Sequence, residues 1–216
     1  MAINIEKYTS LLADLNGKAT LVAVSKTKPN EDIQALYHAG QRDFGENYVQ
    51  ELVDKEAVLP KDIHWHFIGH LQSNKVKAIA PFVHLIHGVD SFNLLQEINK
   101  QAAKVGRTID CLLQIHIATE ETKFGLDADE LAQVMSESAV LKNVQIIGLM
   151  GMASFSEDKN LVREEFRALQ VLYKQYPQFK TLSMGMSGDY SIAIEEGGNM
   201  VRIGSLLFGE RNYPKP

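Results

Sequence analysis

Short, nearly continuous apolar runs alternate along this chain with longer segments whose apolar residues recur every three or four positions. The runs fall at residues 19–25, 42–45, 64–69, 83–87, 109–117, 144–152, 181–186 and 200–208. Runs with so little polar alternation suit parallel strands covered on both faces. Between them, residues 31–38, 48–58, 73–80, 92–104, 128–139, 160–175 and 190–196 carry helical spacing, and another amphipathic helix at about 3–15 precedes the first strand. Asp90 and Ser91 offer a cap to the helix that begins at residue 92, Gly40 and Gly106 follow helices, and Pro29 and Pro81 sit at connections. Eight strands alternating with helices predict an α/β protein, a single TIM-type (β/α)8 barrel with an extra N-terminal helix. A doubly wound open sheet shares the alternation and is the competing architecture. No linker-like stretch or internal repeat marks a boundary, so residues 1–216 read as one domain.

Composition narrows the function. The chain has 216 residues, 45% apolar and 23% charged, as in an ordinary globular protein. Its formal net charge is -5 with no basic run, which argues against nucleic acid as a partner. No run approaches the ~20 apolar residues that cross a bilayer, and the N-terminus lacks the pattern of a signal or transit peptide. Cys111, the single cysteine, sits in an apolar run and reads as a buried, inert thiol. A cytoplasmic location is the resulting expectation.

In such a barrel, functional residues gather where the strands end. The first run delivers Lys26 just past its last apolar residue, with Lys28 as a solvated neighbour. Partial desolvation at a barrel mouth makes a lysine amine nucleophilic toward an aldehyde or ketone. The seventh run leads into Ser187 and Gly188, and the eighth carries Arg202, Gly204 and Ser205. Loops after strands seven and eight, with a short helix start, are where these barrels commonly hold phosphate. Arg202 lies two residues before Gly204 and so shares its face of the strand. An inward arginine needs a partner: either a ligand's ring nitrogen or a carboxylate of the barrel wall, for which Glu46 is available. His64, His66 and His70 match no strong zinc spacing and have no cysteine nearby, so no metal site is expected. Met150, Met152, Met184 and Met186 read as core.

Several motifs then resemble one family. They include Ala23-Val24-Ser25-Lys26-Thr27-Lys28-Pro29, Phe44-Gly45-Glu46-Asn47-Tyr48-Val49-Gln50-Glu51 and Trp65-His66-Phe67-Ile68-Gly69-His70-Leu71-Gln72-Ser73-Asn74-Lys75. Further matches are Glu121-Thr122-Lys123-Phe124-Gly125, Gly148-Leu149-Met150, Leu182-Ser183-Met184-Gly185-Met186-Ser187 and Met200-Val201-Arg202-Ile203-Gly204-Ser205. Together they resemble the pyridoxal phosphate homeostasis proteins, the YggS/PROSC family. The resemblance implies a barrel like the N-terminal domain of alanine racemase, holding pyridoxal 5'-phosphate (PLP) as an aldimine on Lys26. It also implies Arg202 at the pyridine nitrogen, Ser187, Gly204 and Ser205 at the phosphate, and Asn47 near the cofactor. Gly88 and His116 depart from the family's usual serine and asparagine.

The resemblance implies a PLP carrier involved in vitamin B6 homeostasis and delivery to PLP-dependent apoenzymes, a monomer with little or no turnover. An arginine stays protonated, so a ring nitrogen facing it stays unprotonated and the ring becomes a poor electron sink. Alanine racemase-like enzymes take a second base from an additional domain, for which 216 residues leave no room. The alternatives are a PLP-dependent racemase and a class I aldolase, which would use Lys26 on a phosphorylated sugar.

Overall fold

The computed structural model describes residues 3–119 and 124–209. The motif residues Glu121, Thr122 and Lys123 lie outside the described residues. In chain order the elements are α1 (Ile5–Leu15), β1 (Thr20–Val24), α2 (Asn30–His38), β2 (Asp43–Glu46), α3 (Val49–Val58), β3 (His64–Phe67) and α4 (Val76–Ile79). They continue with β4 (Leu85–Val89), α5 (Phe92–Lys104), β5 (Ile109–Ile115), α6 (Ala128–Glu137), β6 (Val144–Gly151), α7 (Lys159–Tyr173), β7 (Thr181–Ser183), α8 (Tyr190–Glu195), β8 (Met200–Ile203) and α9 (Ser205–Phe208).

All strands pair in parallel and in sequence order, and β8 closes on β1 with Val22 opposite Arg202. Closure decides for the barrel over the open sheet. Helix starts obey local chemistry: the Ser91 hydroxyl accepts from the Leu94 amide at 3.3 Å, and Asp127 and Glu130 form a reciprocal capping box. Several strands end earlier than their apolar runs. The run 200–208 divides into β8 and the short helix α9, because buried residues past a strand end keep the apolar character of the strand itself.

Alternation sorts the strand residues into two cores. Val22, Leu85, Leu112, Met150 and Met200 fill the barrel lumen. Phe44, Trp65, Ile86, Leu113 and Phe166 belong to the larger layer between barrel and helices. Cys111 is fully buried in that outer layer, and burial raises its thiol pKa.

One glycine is dictated by strand approach. A Cβ on Gly148 would stand 1.7 Å from the Thr181 carbonyl oxygen, its neighbour across β6 and β7. Backbone cannot yield there without parting the two strands. Gly148→Ala is therefore expected to cost at least about 2 kcal/mol in urea unfolding, whereas Gly188→Ala, where a Cβ meets nothing within 4 Å, should be near neutral.

Candidate active-site cavity

The chain leaves β1 through a tight turn in which the Lys28 amide donates to the Ser25 carbonyl at 3.0 Å. Thr27 sits at φ 62°, a left-handed conformation that a β-branched residue adopts only under constraint, at about 1–3 kcal/mol. The constraint comes from α3. Lys55 Nζ donates to the Ser25 carbonyl at 2.8 Å, to Glu46 Oε1 at 2.7 Å and to Glu51 Oε1 at 2.6 Å. Ser25 Oγ donates to Glu46 at 2.6 Å, and the Thr27 amide donates to Glu51 at 2.6 Å. A buried lysine between two carboxylates thus pins both sides of Lys26. Burial raises the Glu46 pKa, opposed by Lys55. Lys28 is not the solvated neighbour expected from sequence, since its ammonium donates to the Phe208 carbonyl at 2.9 Å and ties this turn to α9.

Glu46 is consequently not the partner of Arg202. On β2, Gly45 faces Val22 in the lumen, so Glu46, one residue on, points outward to α3. Arg202 points inward, is buried, and donates to Ser183 Oγ at 2.7 Å and to the Gly151 carbonyl at 3.0 Å. Burial lowers its pKa to about 10, partly opposed by Asp189, and it remains a cation at neutral pH.

From Ser183 a hydrogen-bonded chain runs through the lumen. His87 Nδ1 lies 3.0 Å from Ser183 Oγ, His87 Nε2 lies 2.9 Å from His66 Nδ1, and His66 Nε2 lies 2.9 Å from Asp43 Oδ1. Burial pushes both histidines below their usual pKa, so each is neutral and carries one ring proton. A carboxylate only accepts, so His66 donates from Nε2 and accepts at Nδ1. His87 then donates from Nε2 and accepts at Nδ1 from the serine hydroxyl, and the serine oxygen accepts from Arg202. Every link points toward Asp43.

All six candidate residues, Lys26, Asn47, Ser187, Arg202, Gly204 and Ser205, line one cavity of about 470 Å³ at the carboxyl ends of the strands. Ser187 Oγ accepts from the Gly204 amide at 3.3 Å, which joins the loops after β7 and β8. Asn47 Oδ1 is buried without a hydrogen-bond partner among the described residues. Met150 and Met184 are core as expected, Met152 packs against the lumen core while also lining the cavity, and Met186 is exposed and lines the cavity instead. Gly88 packs where a Cβ would stand 2.8 Å from the Gly69 carbonyl oxygen, and His116 is exposed outside the cavity lining. His70 separates from His64 and His66, its Nδ1 lying 3.4 Å from Asp90. Sequence reasoning missed Lys55, although its i, i+4 relation to Glu51 was a signal. It also missed His87 and Ser183, whose partnership joins positions 96 residues apart.

This barrel, with its sites at the strand ends, is of the alanine racemase N-terminal-domain class, whose family model matches residues 1–212. Two relatives called pyridoxal phosphate homeostasis protein narrow it further. The one from Aquifex aeolicus is 43% identical over 201 residues, covering 90% of this chain and 88% of that protein. The one from Escherichia coli K12 is 39% identical over 204 residues, covering 91% and 87%. The chain belongs to the family of pyridoxal phosphate homeostasis proteins. Among solved structures it is similar to PipY of Synechococcus elongatus PCC7942, 36% identical over 94% of this chain and 99% of that one. The TM-score is 0.89 to PipY without PLP and 0.86 to PipY with PLP bound. Alanine racemase from Bartonella henselae shares the fold at TM-score 0.75 and 19% identity, over 99% of this chain and 62% of that one.

Removing the Lys55 charge leaves Glu46 and Glu51 facing each other without a cation. Lys55→Met is expected to cost about 3–5 kcal/mol in urea unfolding, and Glu46→Gln in the same chain should restore part of that loss.

Proposed function

We propose that this chain binds PLP in the strand-end cavity, holds it covalently on Lys26, and serves intracellular PLP homeostasis as a carrier rather than a catalyst. The observation that carries this proposal is the convergence of the Lys26 amine, the buried Arg202 cation and the Ser187, Gly204 and Ser205 groups on a single cavity. The cavity is of the size of ordinary cofactor sites, and the orphaned Asn47 Oδ1 is a buried acceptor that suits a ligand donor. PipY, solved with PLP bound, supports the same ligand here.

PLP supplies an aldehyde to react with an amine and a pyridine ring able to withdraw electrons. Lys26 Nζ would hold the group by supplying the amine that its aldehyde takes, with the unprotonated lysine as the nucleophile. The hydroxyls of Ser187 and Ser205 and the amides of the first turn of α9 would hold the phosphate, since the first turn of a helix leaves its N–H groups without internal partners. Arg202 offers only donors to the pyridine nitrogen. Its lumen-side hydrogens are already committed to Ser183 and Gly151, so it is held as a fixed, charged donor.

A permanently donating arginine would keep that nitrogen an acceptor and so would weaken the ring as an electron sink, which disfavours racemisation and favours storage and release. PLP-dependent apoenzymes are the recipients this role calls for, with the chain acting as a cytoplasmic monomer.

Two results test this proposal. Full-length protein should retain PLP through gel filtration and bind pyridoxal, which lacks the phosphate, at least about tenfold more weakly. Ser205→Ala should narrow that gap. Alanine and other small amino acids should show no racemisation at ordinary enzyme rates of about 1–10³ per second. Racemisation at such rates that disappears in Lys26→Ala would overturn the carrier role.

A further inference from the structure

The opposite end of the barrel carries a second cluster of chemistry-bearing side chains that PLP binding does not use. Asp43 opens β2, His64 opens β3, His66 follows two residues later on the same face, and His84 stands just before β4. One ligand atom each from Asp43, His66 and His84 lies within 4.8 Å of the other two. His64 flanks them, its Nδ1 3.2 Å from Asp43 Oδ1 and its ring stacked on His84 at 4.5 Å between centroids. Among the described residues, His84 has ring contacts but no side-chain hydrogen bond.

We propose that Asp43, His66 and His84 form a binding site for a divalent transition-metal ion of the zinc class, with His64 at its edge. Two imidazoles and a carboxylate form a nitrogen and oxygen donor set that favours zinc, cobalt or nickel over magnesium or calcium. A tetrahedral ion about 2.1 Å from each donor places donors about 3.4 Å apart. The three donor atoms lie within 4.8 Å of one another, so an ion would draw in any donor beyond the tetrahedral spacing. Three protein donors leave a fourth position for water or for His64.

The surroundings of His66 resemble those of a metal ligand. Its ring is fully buried, and its second nitrogen is fixed by His87 at 2.9 Å. Metal-bound histidines are oriented by such a bond to the other ring nitrogen. Taking up an ion at Nε2 moves the His66 ring proton to Nδ1, and His87 answers by shifting its own proton from Nε2 to Nδ1, where it donates to Ser183 Oγ, so the His66–His87 contact is kept with its direction reversed. The spacing of His64, His66 and His70 pointed away from metal because two of the three donors come from other segments: Asp43 from β2 and His84 from the loop before β4.

The test uses untagged, full-length protein titrated with Co²⁺ alone. One equivalent per chain should produce the visible ligand-field bands of tetrahedral cobalt, and Zn²⁺ should displace it. Exposed His84 can be replaced without opening the core, so His84→Ala should keep the fold while weakening cobalt binding at least about tenfold, as should Asp43→Asn. His70→Ala should bind as the wild type does. Zn²⁺ should also raise the melting temperature of the wild type, by selective binding to the folded state, and not that of His84→Ala. Absence of tetrahedral bands, or binding left intact by His84→Ala, overturns the site.

Discussion

A guanidinium buried inside a barrel lumen must be hydrogen-bonded and balanced by charge, or the fold cannot hold it. Arg202 meets that demand through four residues from four other strands, β7, β4, β3 and β2. Ser183, His87 and His66 pass hydrogen bonds in one direction to Asp43, so a cation at the strand-end cavity is linked to an anion at the far end. Neither histidine needs a charge of its own, because every link is satisfied by neutral rings. The chain requires each strand at its place in a closed barrel. A slip of one residue in β3 or β4 would turn His66 or His87 into the outer layer.

The barrel wall separates this lumen network from a second one. Glu46, Lys55 and Glu51 lie between β2 and α3, and through Ser25 and Thr27 they hold the turn that presents Lys26. The two networks thus position Lys26 and Arg202, which both line the cavity, from different sides of the same sheet. Lys26 is set from outside the barrel and Arg202 from within. Lys28 adds a link from the Lys26 turn to α9, joining the β1 side of the cavity to its β8 side. These supports suit a protein that holds one ligand in a fixed pose.

Much of this was legible in the sequence, for local reasons. Eight apolar runs separated by helical spacing define the barrel, and Arg202 and Gly204, two residues apart, both line the cavity although β8 ends between them. Strand alternation, applied to β2, rules out Glu46 as the carboxylate partner of Arg202. Glu46 and Asn47 are adjacent, so they cannot both face the lumen, and Asn47 lines the cavity. Other features depend on closure and have no local signature. Ser183 and His87 become partners only because β4 and β7 face each other across the lumen, and His84 joins Asp43 only where the strands begin. The end of β8 at Ile203 was hidden because α9 keeps the apolar character of the strand before it.

The central claim, that the strand-end cavity holds PLP on Lys26, is most directly tested by intact mass spectrometry before and after borohydride reduction. Wild type and Lys26→Ala would both be incubated with PLP and freed of excess. A stable adduct of the mass of reduced PLP, one per chain, is expected on the reduced wild type and none on Lys26→Ala. A wild type without an adduct, or an equal adduct on Lys26→Ala, would contradict it.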